Sequence, residues 1–287
     1  MQDRETQKLM EMTVEHVIPN LVILTGDILS GSNCNDPRES LRHVVSVFEE
    51  RKIYWAAVFG NHDHEGSVSR EGLMDEMVSY STSLTQPGPI DISGVGNYFL
   101  PIKSSYDKNP SAVIYLMDSG SEASTDIGGY GWIQRDQIEW YIHESTSLTE
   151  SPGKPLPALA FFHIPLPEYN EVWDFHDCYG LKYEPVCCPR INAGLFAAMH
   201  EMGDIMGVFV GHDHINDYEG DLHGIRLCYC RGTGFHTYGR DGFSRGARII
   251  QLVEGERDFR TWQYLADGSE IHSSPKHSPM GRVLTDG

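Results

Sequence analysis

Four short apolar runs constrain what this chain can fold into more than any other feature. They are LVILTGD at 21–27, AAVFGNHD at 56–63, ALAFFH at 158–163 and GVFVGHDH at 207–214. Short apolar runs closed by glycine or a polar turn read as strands buried on both faces. In open α/β sheets, ligands bind beyond the carboxyl ends of such strands. Asp27, Asn61, His163, His212 and His214 would then arrive at one sheet edge. A carboxylate, an amide and three imidazoles delivered together make a metal site rather than a core.

The 287 residues suffice for one large domain with a sizeable core. No stretch approaches the roughly 18 apolar residues of a membrane helix, and no basic-then-apolar leader stands at the start of this sequence. The balance of 22 Lys+Arg against 41 Asp+Glu, net −19, argues against nucleic acid as a partner, because phosphate backbones require clustered cations. A phosphate substrate stays open, since a metal ion can supply local positive charge. None of the six cysteines stands in a CxxC pair, so a zinc ribbon is not expected. Cys228 and Cys230 alternate along an apparent strand and read as buried thiols; a disulfide within the Cys178–Cys188 group is the alternative. The compartment is left open.

Along the chain, the pattern predicts helices over 3–17, from the Asp36–Pro37 cap onward, 70–80, 135–147 and 191–202. Strands are expected at 21–25, 54–59, 112–117, 158–162 and 205–210, followed by β runs at 225–230, 246–253 and 259–264. The 81–111 stretch reads as a surface loop with short β pieces near Tyr98–Leu100. The 164–190 stretch reads as one long loop, and the polar tail after 270 as disordered. The expectation is a single domain over 1–270 and a polar tail over 271–287. Alternating strands and helices before a β-rich end suggest α/β architecture, with two mixed sheets packed face to face and helices outside.

Gly26-Asp27, Gly60-Asn61-His62-Asp63, His163 with Pro165, and Gly211-His212-Asp213-His214 resemble the ordered motifs of the calcineurin-like metallophosphoesterase superfamily. Their flanks, together with Gly129-Tyr130-Gly131-Trp132 and Arg245-Gly246-Ala247-Arg248, are similar to its purple-acid-phosphatase-like branch. The likeness covers about 15–265. It implies a four-layer αββα sandwich and normally two divalent ions, Fe, Mn or Zn, clamping an in-line displacement. By the same resemblance Asp27 would bridge the ions, Asn61, His163 and His212 would complete one shell, and His214 would serve the other. His62 would protonate the leaving oxygen or hold the phosphoryl group, and a metal-activated hydroxide would attack. Asp63 itself reads as an orienting partner behind the ligands, with plain loop packing as the alternative.

The sequence departs from the superfamily pattern in two places. The superfamily opens with Asp-x-His on its first strand, and nothing before Asp27 supplies it, so that strand is expected to be missing and one ion to be held tightly. The tyrosine that colours purple members stands three residues after the bridging Asp; here it is Ser30.

Singly, each residue has a plainer reading: Asp27 as a turn or cap residue, His163 as a hydrogen-bonded core histidine, His212 and His214 as loop polar groups. Four motifs in family order outweigh those readings. His176 and Asp177 read as solvated loop, and Tyr238, Arg240 and Arg245 as candidates for the pocket wall. The expected function is hydrolysis of phosphomonoesters on a phosphorylated small molecule or phosphoprotein. A pseudophosphatase acting as a scaffold is the main alternative, and phosphodiesterase activity is a further one.

Overall fold

The computed structural model describes residues 2–150 and 152–279. Six α-helices lie in it: α1 Gln2–Val17, α2 Pro37–Glu49, α3 Arg70–Val78, α4 Arg135–Glu150, α5 Glu168–Phe175 and α6 Leu195–Met202. The strands are β1 Leu21–Thr25, β2 Tyr54–Val58, β3 Tyr98–Lys103, β4 Pro110–Leu116, β5 Ala158–Phe161, β6 Cys178–Tyr179 and β7 Ile205–Val210. They continue with β8 Glu219–Leu222, β9 Ile225–Tyr229, β10 Gly246–Leu252, β11 Phe259–Leu265, β12 Glu270–Ile271 and β13 Lys276–His277.

One mixed eight-stranded sheet runs β13-β6-β8-β9-β7-β5-β4-β3, with β4, β5, β7 and β9 parallel at its centre. A parallel pair β1-β2 and an antiparallel sheet β10-β11-β12 form the second layer. Strand alternation assigns the faces. Leu159 and Phe161 of β5 pack with Ala56, Val58 and Phe259 between the layers. Ala158, Ala160 and Phe162 point the other way, against Tyr141 of α4, Tyr169 of α5 and Leu195 of α6. Trp55 and Ala57 of β2 turn outward to Met10 of α1, Leu41 of α2 and Leu73 of α3. His16 of α1 stacks on Tyr264 of β11 at 4.8 Å, so both small sheets share the α1 side. The result is the expected αββα sandwich. Among the described residues β1 pairs with β2 alone.

Three expectations need correction. The 164–190 stretch is not one loop. Pro167 sets a helical φ, Glu168 and Glu171 occupy the first turn of α5, and Tyr169 and Val172 bury against the sheet. The apolar spacing was masked by the aromatic and acidic residues between. The 81–111 stretch contains the full β3–β4 pairing, Tyr98 opposite Leu116 through Lys103 opposite Pro110. Residues 270–277 do not trail off, because β12 pairs with β11 and β13 with β6; 280–287 lie outside the described residues. Cys178, Cys187 and Cys188 are free thiols, so the disulfide alternative fails, whereas Cys228 and Cys230 do share the interlayer core. No helix among the described residues is long and apolar enough to cross a membrane.

Candidate metal centre

Asp27 and Asn61 follow β1 and β2, and His163 and His212 follow β5 and β7, so both layers contribute to one point. Backbone shape makes the approach possible. Gly26 has φ +87° and Asp27 φ +48°, so the chain reverses immediately after β1. A Cβ on Gly26 would lie 2.5 Å from His163 Nδ1, and one on Gly60 would overlap the Asp27 carboxylate. His212 also adopts a left-handed backbone, φ +69°.

His163 is the hub. Its Nδ1 meets the Thr25 carbonyl at 2.8 Å, which leaves Nε2 facing Asp27 Oδ2 at 3.1 Å, Asn61 Oδ1 at 3.2 Å and His212 Nδ1 at 3.2 Å. Four donors around a tetrahedral ion with bonds near 2.1 Å would stand roughly 3.4 Å apart. The observed spacing fits, and Asp27, His163 and His212 have their ligand atoms within 4.8 Å of one another. The Nδ1–carbonyl bond of His163 is the usual support for a ligating imidazole. His212 lacks such support, because its Nε2 is buried with no protein partner; the edge of Tyr130 packs on its ring at 4.3 Å.

The electrostatics favour a cation. Burial opposes charge on Asp27, but the His163 ring and the His62 amide, 2.9 Å from Oδ1, hold its carboxyl well below the usual range. Burial also opposes charge on His163, yet Asp27 outweighs it and raises the imidazole. Burial lowers His212 to about 3, which keeps it neutral, the form that ligates. Asp27, Asn61, His163 and His212 therefore fit a divalent ion.

The other expected residues are placed differently. His62 lies outside the ligand set: its half-exposed ring meets Glu65 Oε1 through Nδ1 at 2.7 Å. Among the described residues Asp63 hydrogen-bonds backbone amides rather than ligand side chains. It accepts from Leu29 N at 2.9 Å and Gly60 N at 2.7 Å, tying the two ligand loops together by their backbones. Burial, with Asp27 nearby, pushes Asp63 up to about 6. His214 does not join the four donors. Its Nδ1 meets Thr237 Oγ1 at 2.8 Å, and its ring stacks on Tyr238 at 4.1 Å.

Tyr238 donates to Glu184 at 2.7 Å, and Arg245 braces the Thr237 and Tyr238 carbonyls. Arg240 instead covers the Tyr183 ring at 4.1 Å. Asp213 supports the loop from within, accepting from Tyr229 Oη at 2.5 Å and Cys187 N at 3.2 Å. Asp177 pairs with Lys276 in the β6–β13 region. Sequence reasoning missed Glu65 and Glu184. Glu65, three residues after His62, was legible as a turn-spaced partner. Glu184 carried no local signal, because its partners are 31 and 54 residues away.

The family profile described as Calcineurin-like phosphoesterase matches residues 1–216. The chain is 34% identical over 279 residues to "Probable inactive purple acid phosphatase 14" of Arabidopsis thaliana, covering 91% of this chain and 70% of that protein. It is 32% identical over 304 residues to "Phosphatase DCR2" of Saccharomyces cerevisiae, covering 99% of this chain and about half, 51%, of that one. In structure it is similar to a dimetal phosphatase from Danio rerio, with a TM-score of 0.58 at 13% identity over 93% of this chain and 89% of that one. A profile match over most of the chain and a relative above 30% identity across nine-tenths of it lead to one conclusion: the chain belongs to the calcineurin-like phosphoesterase family.

Proposed function

We propose that this chain is a metal-dependent phosphoesterase acting on phosphomonoesters, with one ion held tightly by Asp27, Asn61, His163 and His212. The observation that carries the reading is the convergence of three donors within 3.2 Å of His163 Nε2. A bound divalent ion supplies Lewis acidity, lowering the pKa of water and neutralising charge on the phosphoryl oxygens. The chain's own groups do the rest. The Glu65 carboxylate holds the His62 ring through Nδ1, and Nε2 is left to give a proton to the leaving oxygen. His62 N, donating to Asp27 Oδ1, aligns the carboxylate. Tyr130 shields the His212 side of the site from water. His214 stacks on Tyr238, which donates to Glu184, and a second ion or the substrate would sit beside this group.

A second reading is supported by the name of the Arabidopsis relative, a "probable inactive" phosphatase, and by the engagement of His214 with Thr237 and Tyr238. In that reading the chain binds metal and a phosphorylated partner without turnover. Hydrolysis of p-nitrophenyl phosphate with added Mn²⁺, alongside metal analysis of the purified chain, separates the two. Turnover that disappears in His163→Ala supports the enzyme. Stoichiometric metal without turnover supports the second reading, and absence of bound metal rejects both.

A further inference from the structure

We infer that Arg70, with Asp118 and Ser119, is a brace that positions two of the ligand-bearing turns; the inference rests on the metal reading above. Arg70 is the first residue of α3. Its Nη1 donates to both Asp118 oxygens, at 2.7 and 2.8 Å. Its Nη2 donates to the Gly60 carbonyl at 2.8 Å and the Gly120 carbonyl at 3.0 Å. Gly60 immediately precedes Asn61. Its amide is already held by Asp63, so the peptide units on both sides of the Gly60 Cα are pinned. Beside Asp118, Ser119 Oγ accepts at 2.9 Å from Ile164 N, the amide next to His163. The turn after β4 thus reaches the turns that carry Asn61 and His163.

The brace is itself held. Asp118 also accepts from Val95 N and Gly120 N, at 2.8 and 2.9 Å. Gln137 of α4 donates to the Asp118 carbonyl and to Asn97, whose side chain accepts from Asp118 N. A buried ion pair is a poor way to gain stability alone, since well-packed apolar residues of like volume usually do as well. This one also leaves Arg70 Nε buried without a protein partner. What a guanidinium offers is a rigid planar fork that fixes several acceptors relative to one another. Metal sites need that, because ligands must be held within about 0.5 Å.

The test is Arg70→Lys, with Asp118→Asn as a second variant. Lysine keeps a cation beside Asp118, but one ammonium cannot span that carboxylate and two carbonyls. Three readouts are taken on the full chain: Co²⁺ affinity with its visible absorption, the thermal midpoint, and amide hydrogen exchange at His62, Ile164 and β7. The His62 amide is the sensitive probe because it donates to Asp27.

The expected result is exchange at His62 about tenfold faster, with β7 amides unchanged. Co²⁺ affinity should fall about tenfold, as when the support of a metal ligand is removed, with an altered spectrum. Unchanged His62 exchange and Co²⁺ affinity would overturn the brace. So would β7 amides that speed up equally with His62, which would mark global destabilisation. If the parent chain takes up no Co²⁺, the metal reading fails and His62 exchange alone decides the brace.

Discussion

A methyl group at Gly60 would overlap the Asp27 carboxylate, so the smallest possible side chain decides whether the centre closes. Gly60→Ala is expected to lower metal content sharply, as measured by elemental analysis, while the circular dichroism of the fold is retained. His62 makes the complementary case. Its amide donates to Asp27, yet its ring bonds to Glu65 rather than to the ligands. His62→Ala should therefore reduce kcat by roughly 10²–10⁴, the usual weight of acid–base catalysis, with metal content unchanged. Metal lost together with His62 would make it a ligand and sink the assignment.

At the scale of elements, the ends of strands matter more than the helices around them. Helix α2 makes this testable. Asp36 caps it, accepting from Arg38 N at 3.0 Å and Glu39 N at 3.2 Å. Asp36→Ala should cost about 1 kcal/mol of stability, read by urea denaturation, and leave metal affinity untouched.

The same contrast explains what the sequence made legible. β1, β2, β5 and β7 announce themselves as apolar runs, and their terminal Asp27, Asn61, His163 and His212 were recognisable as one set. Helix α5 was hidden because its buried Tyr169 and Val172 alternate with Glu and Asp. β12 and β13 are two residues each, too short for any periodicity. Arg70, Glu184 and the engagement of His214 depend on long-range contacts that no local pattern records. Tertiary pairing brings such groups together, and a single sequence shows only that they exist.

At the scale of the whole molecule, the centre lies across the seam of the sandwich. Asp27 and Asn61 belong to the β1–β2 layer, and His163 and His212 to the eight-stranded sheet. Mn²⁺ should raise the thermal midpoint in proportion to the logarithm of its concentration over Kd, and EDTA should reverse it. A midpoint insensitive to both would mean that no ion bridges the layers. An ion at this point would also be a reversible clasp, joining donors that are 34 to 185 residues apart in sequence and come together only in the folded chain. Chelation would then do more than silence a reaction: it would remove one tie across the seam and leave the apolar contacts of Ala56 and Val58 with Leu159 and Phe161, and the Tyr98–Ala57 hydrogen bonds, to hold the layers together.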